Sequence, residues 1–373
     1  MSSIKLNTIK SAINDIKNGK VIIVVDDKNR ENEGDFLAAA ELITPSIINF
    51  MATHGRGLIC APITENIAKK LKLNLMVGTN TDPQDTAFTV SVDLSGNGVT
   101  TGISATDRAK TIKALIDSKA APENFSKPGH VFPLVAKNGG VLRRTGHTEA
   151  AIDLPSLAGL EPAGVIVEIM NEDGSMAKGQ DLFSFANLHK LKIGKIEDLI
   201  AYRLKKEKLI RLKKQSNIIV KKQKYKIRIY ENLLDGAEHF ALIKGKIKRG
   251  TTPRVRVISS NVVQNYLINE KLPNSFHKTL NYYKKYQNCV LVFIKESNLK
   301  SVTQTLKDYK NKELIKTGND KLIRNYGIGA QIIKDLNIKN MILITKSPKK
   351  VIGLDGYGIK ITKQEIIKWK KHV

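Results

Sequence analysis

Cysteine is nearly absent: the chain holds two, Cys60 and Cys289. They form no Cys-x-x-Cys pair, which excludes a disulfide framework and fits a reducing cytosol. Long apolar runs are also missing. No stretch of 18 or more apolar residues occurs, so no transmembrane span is expected. The first sixteen residues, MSSIKLNTIKSAINDI, are amphipathic with charges spread through them and lack a signal-peptide core. A cytoplasmic protein with no membrane partner is the expectation. Acidic residues are scarce as well, 35 Asp and Glu against 62 Lys and Arg.

That shortage is confined to one half. Residues 1–205 hold 24 basic against 23 acidic residues, a net of +1, and residues 206–373 hold 38 against 12, a net of +26. A basic half attracts acidic partners. Here the lysines alternate with strand-like apolar residues and form no arginine-rich arm, so nucleic acid is not the expected partner. A length of 373 residues predicts two or three domains at about 150 residues each.

The stretch that organises the first half is DDKNRENEGD, Asp26 to Asp35, set between the apolar runs Val21 to Val25 and Phe36 to Ala40. Glu31, Glu33 and Asp35 alternate, with Arg30 beside them and Gly34 freeing the backbone. Like charges so close repel unless a cation sits among them. A solvated hairpin turn is one reading; a divalent metal bound with a phosphorylated or polyol substrate is the other.

Around this stretch the elements read as follows. Ile4 to Ile16 has helical spacing, stopped by Asn18-Gly19. Val21 to Val25 and Asp35 to Ala40 are strands, and Thr44-Pro45 opens a helix through His54. Leu58 to Ala61 is a short strand in which Cys60 is a buried apolar residue or a pocket wall. Thr64 caps a helix to Leu71, and Ala87 to Asp93 alternates as a strand. Gly98 to Arg108, GVTTGISATDR, offers hydroxyl and backbone donors suited to phosphate, or is an ordinary connection in which Thr106-Asp107 caps a helix from Arg108 to Ser118. His130 lies in KPGHVFPLV, and RRTGHTEA (143–150) gathers two Arg, a Thr, a His and a Glu. Two guanidiniums suit a phosphate dianion and His147 suits a metal. Glu168 falls in the apolar strand VIVEIM, where a carboxylate is costly unless paired or catalytic.

RENEGD, RRTGHTEA and VEIMNEDG together, with PGHVFPL and TTGISATDR, resemble the 3,4-dihydroxy-2-butanone 4-phosphate synthase family of riboflavin biosynthesis, almost continuously over residues 8–203. The resemblance implies an α+β domain with a mixed sheet, a homodimer, and Mg²⁺ or Mn²⁺ in the site. It implies conversion of ribulose 5-phosphate to 3,4-dihydroxy-2-butanone 4-phosphate and formate. Carried over, Glu31 and His147 are the metal ligands. Arg30, Glu31, Asp35, Arg144, Thr145, Gly146, His147, Thr148 and Glu168 contact substrate. His130 and Glu168 are associated with catalysis, and Glu33 and Asp35 of the acidic loop handle protons with them.

Leu204 to Lys224 reads as a basic linker that extends the last helix and then runs free. Residues 225–373 resemble GTP cyclohydrolase II, an α/β domain, through YENLLDGAEHFALIKGKI, RVIS and RNYGIGAQIIKDLNIKNMILIT. The departures are specific. That family needs three cysteines for zinc; the first would fall near Asn261, and the paired Cys-x-Cys is missing. Lys295 to Lys300 replaces the segment carrying its Arg nucleophile. No Zn²⁺ and no ring opening of GTP are expected. Asp320 to Asp335 reads as a helix and Val351 to Ile361 as hairpin-like strands, and Thr345 and Lys350 match nucleotide-contacting positions. The open readings of this domain are an inactive module, a regulatory or docking surface for another enzyme of the pathway, and a nucleic-acid binder.

Overall fold

The computed structural model describes residues 6–27, 30–82, 84–248, 250–260, 275–295, 319–346 and 354–367. The chain divides into two units, residues 1–202 and 203–373.

The first unit runs α1 (Ile9–Lys17), β1 (Ile22–Val25), β2 (Gly34–Ala39), α2 (Pro45–Gly55), β3 (Cys60–Ile63), α3 (Glu65–Lys70), β4 (Val92–Leu94), α4 (Ala105–Leu115), β5 (Phe125–Val135), α5 (His147–Ala158), β6 (Gly164–Glu168), α6 (Gln180–His189), β7 (Ile193–Lys195) and α7 (Ile196–Lys206), the last reaching past the division. Its strands form one mixed sheet, ordered β4-β5-β3-β6-β2-β1-β7. β1, β2 and β6 are antiparallel neighbours, whereas β3 and β5 run parallel. Strands β2 and β3 are buried along their whole length, as a sheet covered on both faces requires. Thr8, Thr44 and Thr64 each accept a backbone N–H at a helix start, satisfying donors that the helix cannot.

Two local expectations are corrected here. The cap of α4 is Ser104, whose hydroxyl accepts from Asp107 N, and not Thr106-Asp107. Asp107 instead turns back onto Thr100 and Gly102, which fixes the Gly/Thr loop. The strand expected over Ala87 to Asp93 is regular only at Val92–Leu94, with single bridges at Phe88 and Thr89 before it.

The second unit runs β8 (Ile210–Val220), β9 (Gln223–Asn232), β10 (Glu238–Lys244), β11 (Arg254–Ser260), α8 (Ser275–Tyr283), β12 (Cys289–Lys295), α9 (Asn319–Asp335), β13 (Asn340–Thr345) and β14 (Lys360–Ile366). These strands form a second mixed sheet, ordered β14-β13-β11-β12-β10-β9-β8. The linker does not run free: most of it is β8, paired along its length with β9. Ile218 and Val220 pack against the core of this unit, while Ile219 between them and the lysine-bearing stretch before them stay exposed. Ahead of β8, Gln331 of α9 donates to the carbonyls of Leu204 and Glu207 and accepts from Leu209 N. The hairpin over Val351 to Ile361 is likewise corrected. Leu354–Tyr357 is a 3-10 turn, and β14 runs parallel to β13. Asn261, Lys350 and residues 296–300 lie outside the described residues.

Candidate active site

The acidic loop is built on Asp26, immediately after β1. Its carboxylate accepts from Glu31 N and Glu33 N, each at 3.0 Å, and from Arg30 Nη1 at 3.0 Å. One buried side chain thereby curls the loop and aims Glu31 inward. Asn32 takes a left-handed φ of 56° to complete the turn. Sequence reading missed Asp26 as the loop's anchor. Its function is to collect backbone N–H groups several residues on, which leaves no spacing signature.

From the other side comes α5. His147 is its first residue and is buried. Nε2 donates to the carbonyl of Val24 at 3.1 Å, which leaves Nδ1 facing Glu31 Oε2 at 3.6 Å and Asp35 Oδ1 at 3.8 Å. A backbone carbonyl fixing one ring nitrogen while the other faces carboxylates is the usual arrangement around a metal-binding imidazole. Asp26, Glu31 and His147 each offer a ligand atom, all within 4.8 Å of one another. Oxygen donors with one imidazole suit Mg²⁺ or Mn²⁺. Asp26 already accepts three hydrogen bonds, so Glu31 and His147 are the pair that would hold the ion.

Electrostatics agree with this crowding. Burial pushes the Asp35 carboxyl up to about 7, against the pull of His147. Burial opposes charge on His147 too, but Asp35 and then Glu31 outweigh it and lift the imidazole to about 9. Glu31 is desolvated, yet His147 and Arg30 hold it below the usual carboxylate range. Glu33 is raised by burial and by Glu31, and Lys178 approaches it at 3.9 Å.

Asp35 lies directly opposite Glu168 across the β2–β6 pair. Glu168 is half-buried at the end of β6, not enclosed within it as the apolar run suggested. Its Oε2 accepts Leu58 N at 2.9 Å. Cys60 is buried on β3, and Asp35 and Glu168 add to the burial that holds its thiol protonated.

Arg144 to Thr148 lead into α5. Gly146 is the cap, and Thr148 is buried in the first turn. Arg144 is engaged within the chain: Nη1 donates to Glu149 at 2.7 Å, Nη2 to Thr86 at 3.0 Å and Nε to the carbonyl of Gln84 at 3.0 Å. It thus ties the turn-rich loop to α5. Thr145 is half-buried beside it.

His130 is the one assigned residue that the chain does not bring to this cluster. It sits on β5, and β3 and β6 intervene before β2. Three spacings of about 4.8 Å put roughly 14 Å between them. His130 is locked to Asp93 instead: its N–H donates to Oδ1 at 2.9 Å, and Nδ1 lies 2.7 Å from Oδ2.

Comparison with known proteins defines the class first. Residues 10–202 match the family model of 3,4-dihydroxy-2-butanone 4-phosphate synthase, and residues 211–365 that of GTP cyclohydrolase II. The chain belongs to the 3,4-dihydroxy-2-butanone 4-phosphate synthase family, in its two-domain form, and is an enzyme of riboflavin biosynthesis. It is 47% identical to the riboflavin biosynthesis protein RibBA of Cytophaga hutchinsonii, over 97% of this chain and 92% of that one. It is 45% identical to RibBA of Bacillus subtilis, over 95% and 92%. Among solved structures it is similar to RibBX of A. baumannii, described as a two-domain 3,4-dihydroxy-2-butanone 4-phosphate synthase. That likeness has a TM-score of 0.82 at 37% identity and covers 98% of this chain and all of the other. A synthase solved in complex with two magnesium ions matches 53% of this chain and 96% of its own, with 44% identity and a TM-score of 0.51.

Proposed function

We propose that residues 1–203 convert D-ribulose 5-phosphate to L-3,4-dihydroxy-2-butanone 4-phosphate and formate, with Mg²⁺ or Mn²⁺ held by Glu31 and His147. The observation that carries this reading is the approach of Glu31 Oε2 to His147 Nδ1, with Val24 fixing the ring. The bound cation would supply Lewis-acid stabilisation of an enediolate. The chain's own groups do the remaining work. Asp35, raised toward neutrality and paired in register with Glu168, is suited to take and return protons at sugar carbons. Glu33 belongs to the loop that shields the site from water. Arg30 and the Arg144 to Thr148 segment bind substrate. Arg144 uses three of its five N–H donors on Gln84, Glu149 and Thr86, which leaves two for a phosphate while the turn-rich loop stays tied.

For His130 to act on the same substrate it must come from a second copy, so a homodimer is part of the proposal. The exposed run Leu75-Met76-Val77 adjoins β5 through the Phe88 bridge to Leu134, and it offers apolar surface for such a contact.

The second domain is proposed to be inactive as a cyclohydrolase. Three thiolates cannot be drawn from two cysteines. Cys60 lies in the other unit, and burial raises the Cys289 thiol to about 11. The match of residues 211–365 to the cyclohydrolase model favours a second reading, in which the domain keeps nucleotide binding or an altered nucleotide chemistry. Thr345 is buried at the end of β13, where such a ligand would approach. One experiment addresses both. The purified chain given ribulose 5-phosphate and Mg²⁺ should release formate, and Glu31→Ala or His147→Ala should abolish that release while the chain stays folded. GTP with Zn²⁺ should yield no ring-opened product. Full activity in either variant would refute the ligand assignment, and stoichiometric zinc in the protein would overturn the second claim.

A further inference from the structure

The carboxylates of the acidic loop already share a cation, and it belongs to the chain. Arg30 Nη1 stands 3.0 Å from Asp26 Oδ2 and 2.7 Å from Glu31 Oε2. The Arg30 side chain is 13% exposed and that of Asp26 not at all. Charge-assisted hydrogen bonds are strong in so dry a place. Glu31 Oε2 is also the oxygen that lies 3.6 Å from His147 Nδ1. The guanidinium therefore holds the very atom that an ion shared by Glu31 and His147 would need. Two cations within about 4 Å of each other repel strongly where water is excluded.

We propose that Arg30 is an internal competitor of the divalent cation. Its guanidinium neutralises Asp26 and Glu31, and it has to leave Glu31 before an ion can settle there. This rests on the reading of Glu31 and His147 as metal ligands. It adds an order of events: the Arg30 fork, once released from Glu31, becomes available to an anionic substrate. Cation and substrate binding are then coupled through one side chain. By linkage, a substrate that draws Arg30 away tightens the cation site by the same factor that the cation tightens the substrate's.

The test uses the full chain and Mn²⁺ alone, with free Mn²⁺ read by electron paramagnetic resonance. Arg30→Met keeps the apolar stem and loses the fork; it should bind Mn²⁺ about tenfold more tightly than the parent chain. Arg30→Lys keeps a cation, but on a shorter stem than the one that brings Nη1 to both carboxylates, and should fall between. Lys178→Gln removes a more exposed cation near Glu33 and should change affinity by less than about twofold. A second measurement needs no variant. Phenylglyoxal labelling of the parent chain, read at the Arg30 peptide by mass spectrometry, should rise when Mn²⁺ is added. Labelling of Arg30 that ignores Mn²⁺ overturns the proposal, whatever a substituted loop does. So does Lys178→Gln tightening the site as much as Arg30→Met. If Glu31→Gln abolishes Mn²⁺ binding and Arg30→Met leaves it unchanged, the metal reading survives and the competition does not. A parent chain that binds no Mn²⁺ sinks both.

Discussion

His147 and Asp35 compete for a proton at the spot where a cation is proposed to sit, and this gives the site a pH signature. Both groups have raised values in the fold, His147 to about 9 and Asp35 to about 7. A raised value contributes stability that is complete below the unfolded pKa and is lost as pH rises through the folded one. The Asp35 contribution therefore disappears between about 4 and 7, and that of His147 between about 6.5 and 9. In chelator, the melting temperature should fall as pH rises from about 6.5 to 9. Added Mn²⁺ should reverse the trend, because an imidazole must lose its Nδ1 proton to bind the ion. Calorimetric titration with Mn²⁺ near neutral pH, repeated in two buffers of different ionisation heat, should show about one proton released per ion. A heat independent of buffer would remove His147 from the ligand set. At this scale the sequence was informative about candidates, since Glu31 and His147 stand out in their motifs and the fold brings their side chains within 3.6 Å. It was silent on Asp26 and on the partners of Arg144, because those roles consist of hydrogen bonds whose other ends lie elsewhere in the chain.

Between elements, the site depends on how tightly the end of β6 is gripped. Gly57, just before β3, has no room for a side chain. A Cβ there would lie 2.5 Å from Glu168 Oε2 and 2.7 Å from the Glu168 carbonyl. Gly57→Ala should therefore displace Glu168 from Leu58 N and lower kcat by tenfold or more, with a stability cost of about 1–3 kcal/mol. Gly78→Ala, where a Cβ meets nothing within 4 Å, is the matched control and should leave both unchanged. A second prediction concerns the turn joining β8 to β9. Lys221 and Lys222 both take left-handed φ, 48° and 62°, in a two-residue hairpin loop. That geometry favours Asn-Gly, so replacing the pair by Asn-Gly should stabilise the second unit by about 1 kcal/mol in thermal melts. The same turn shows why β8 was illegible. Lys-Lys is no turn signal, and a strand with one charged face looks like a solvated linker until its partner β9 is placed beside it. Helix starts with a threonine hydroxyl, at Thr44 and Thr64, were legible because their chemistry is local. Val351 to Ile361 failed for the opposite reason. β14 takes its direction from β13, whose distance along the chain no local pattern encodes.

At the scale of the molecule the two units carry very different charge, and the reaction is proposed to use only one of them. Within that unit His130 stands apart from the acidic loop. Its residue type and motif were readable, but a motif does not say which copy of a chain supplies it. The sheet order separates β5 from β2 by two strands, and Asp93 holds the imidazole where it is. A single chain can close that gap only by tearing β5 from its neighbours, which would forfeit ladder hydrogen bonds and core burial. In the proposed two-fold dimer each copy would give what the other lacks, with no distortion of β5. Glu31→Ala and His130→Ala should then complement each other. Each variant alone should release almost no formate. After co-refolding in equal amounts, half of the dimers are mixed and each mixed dimer has one intact site, so activity should return to about a quarter of the parent value. Sedimentation of the same samples reports whether dimers form. Mixed dimers without recovered activity would place His130 outside the reaction or confine each site to one chain. Recovery near a quarter would show that the catalytic unit is the pair.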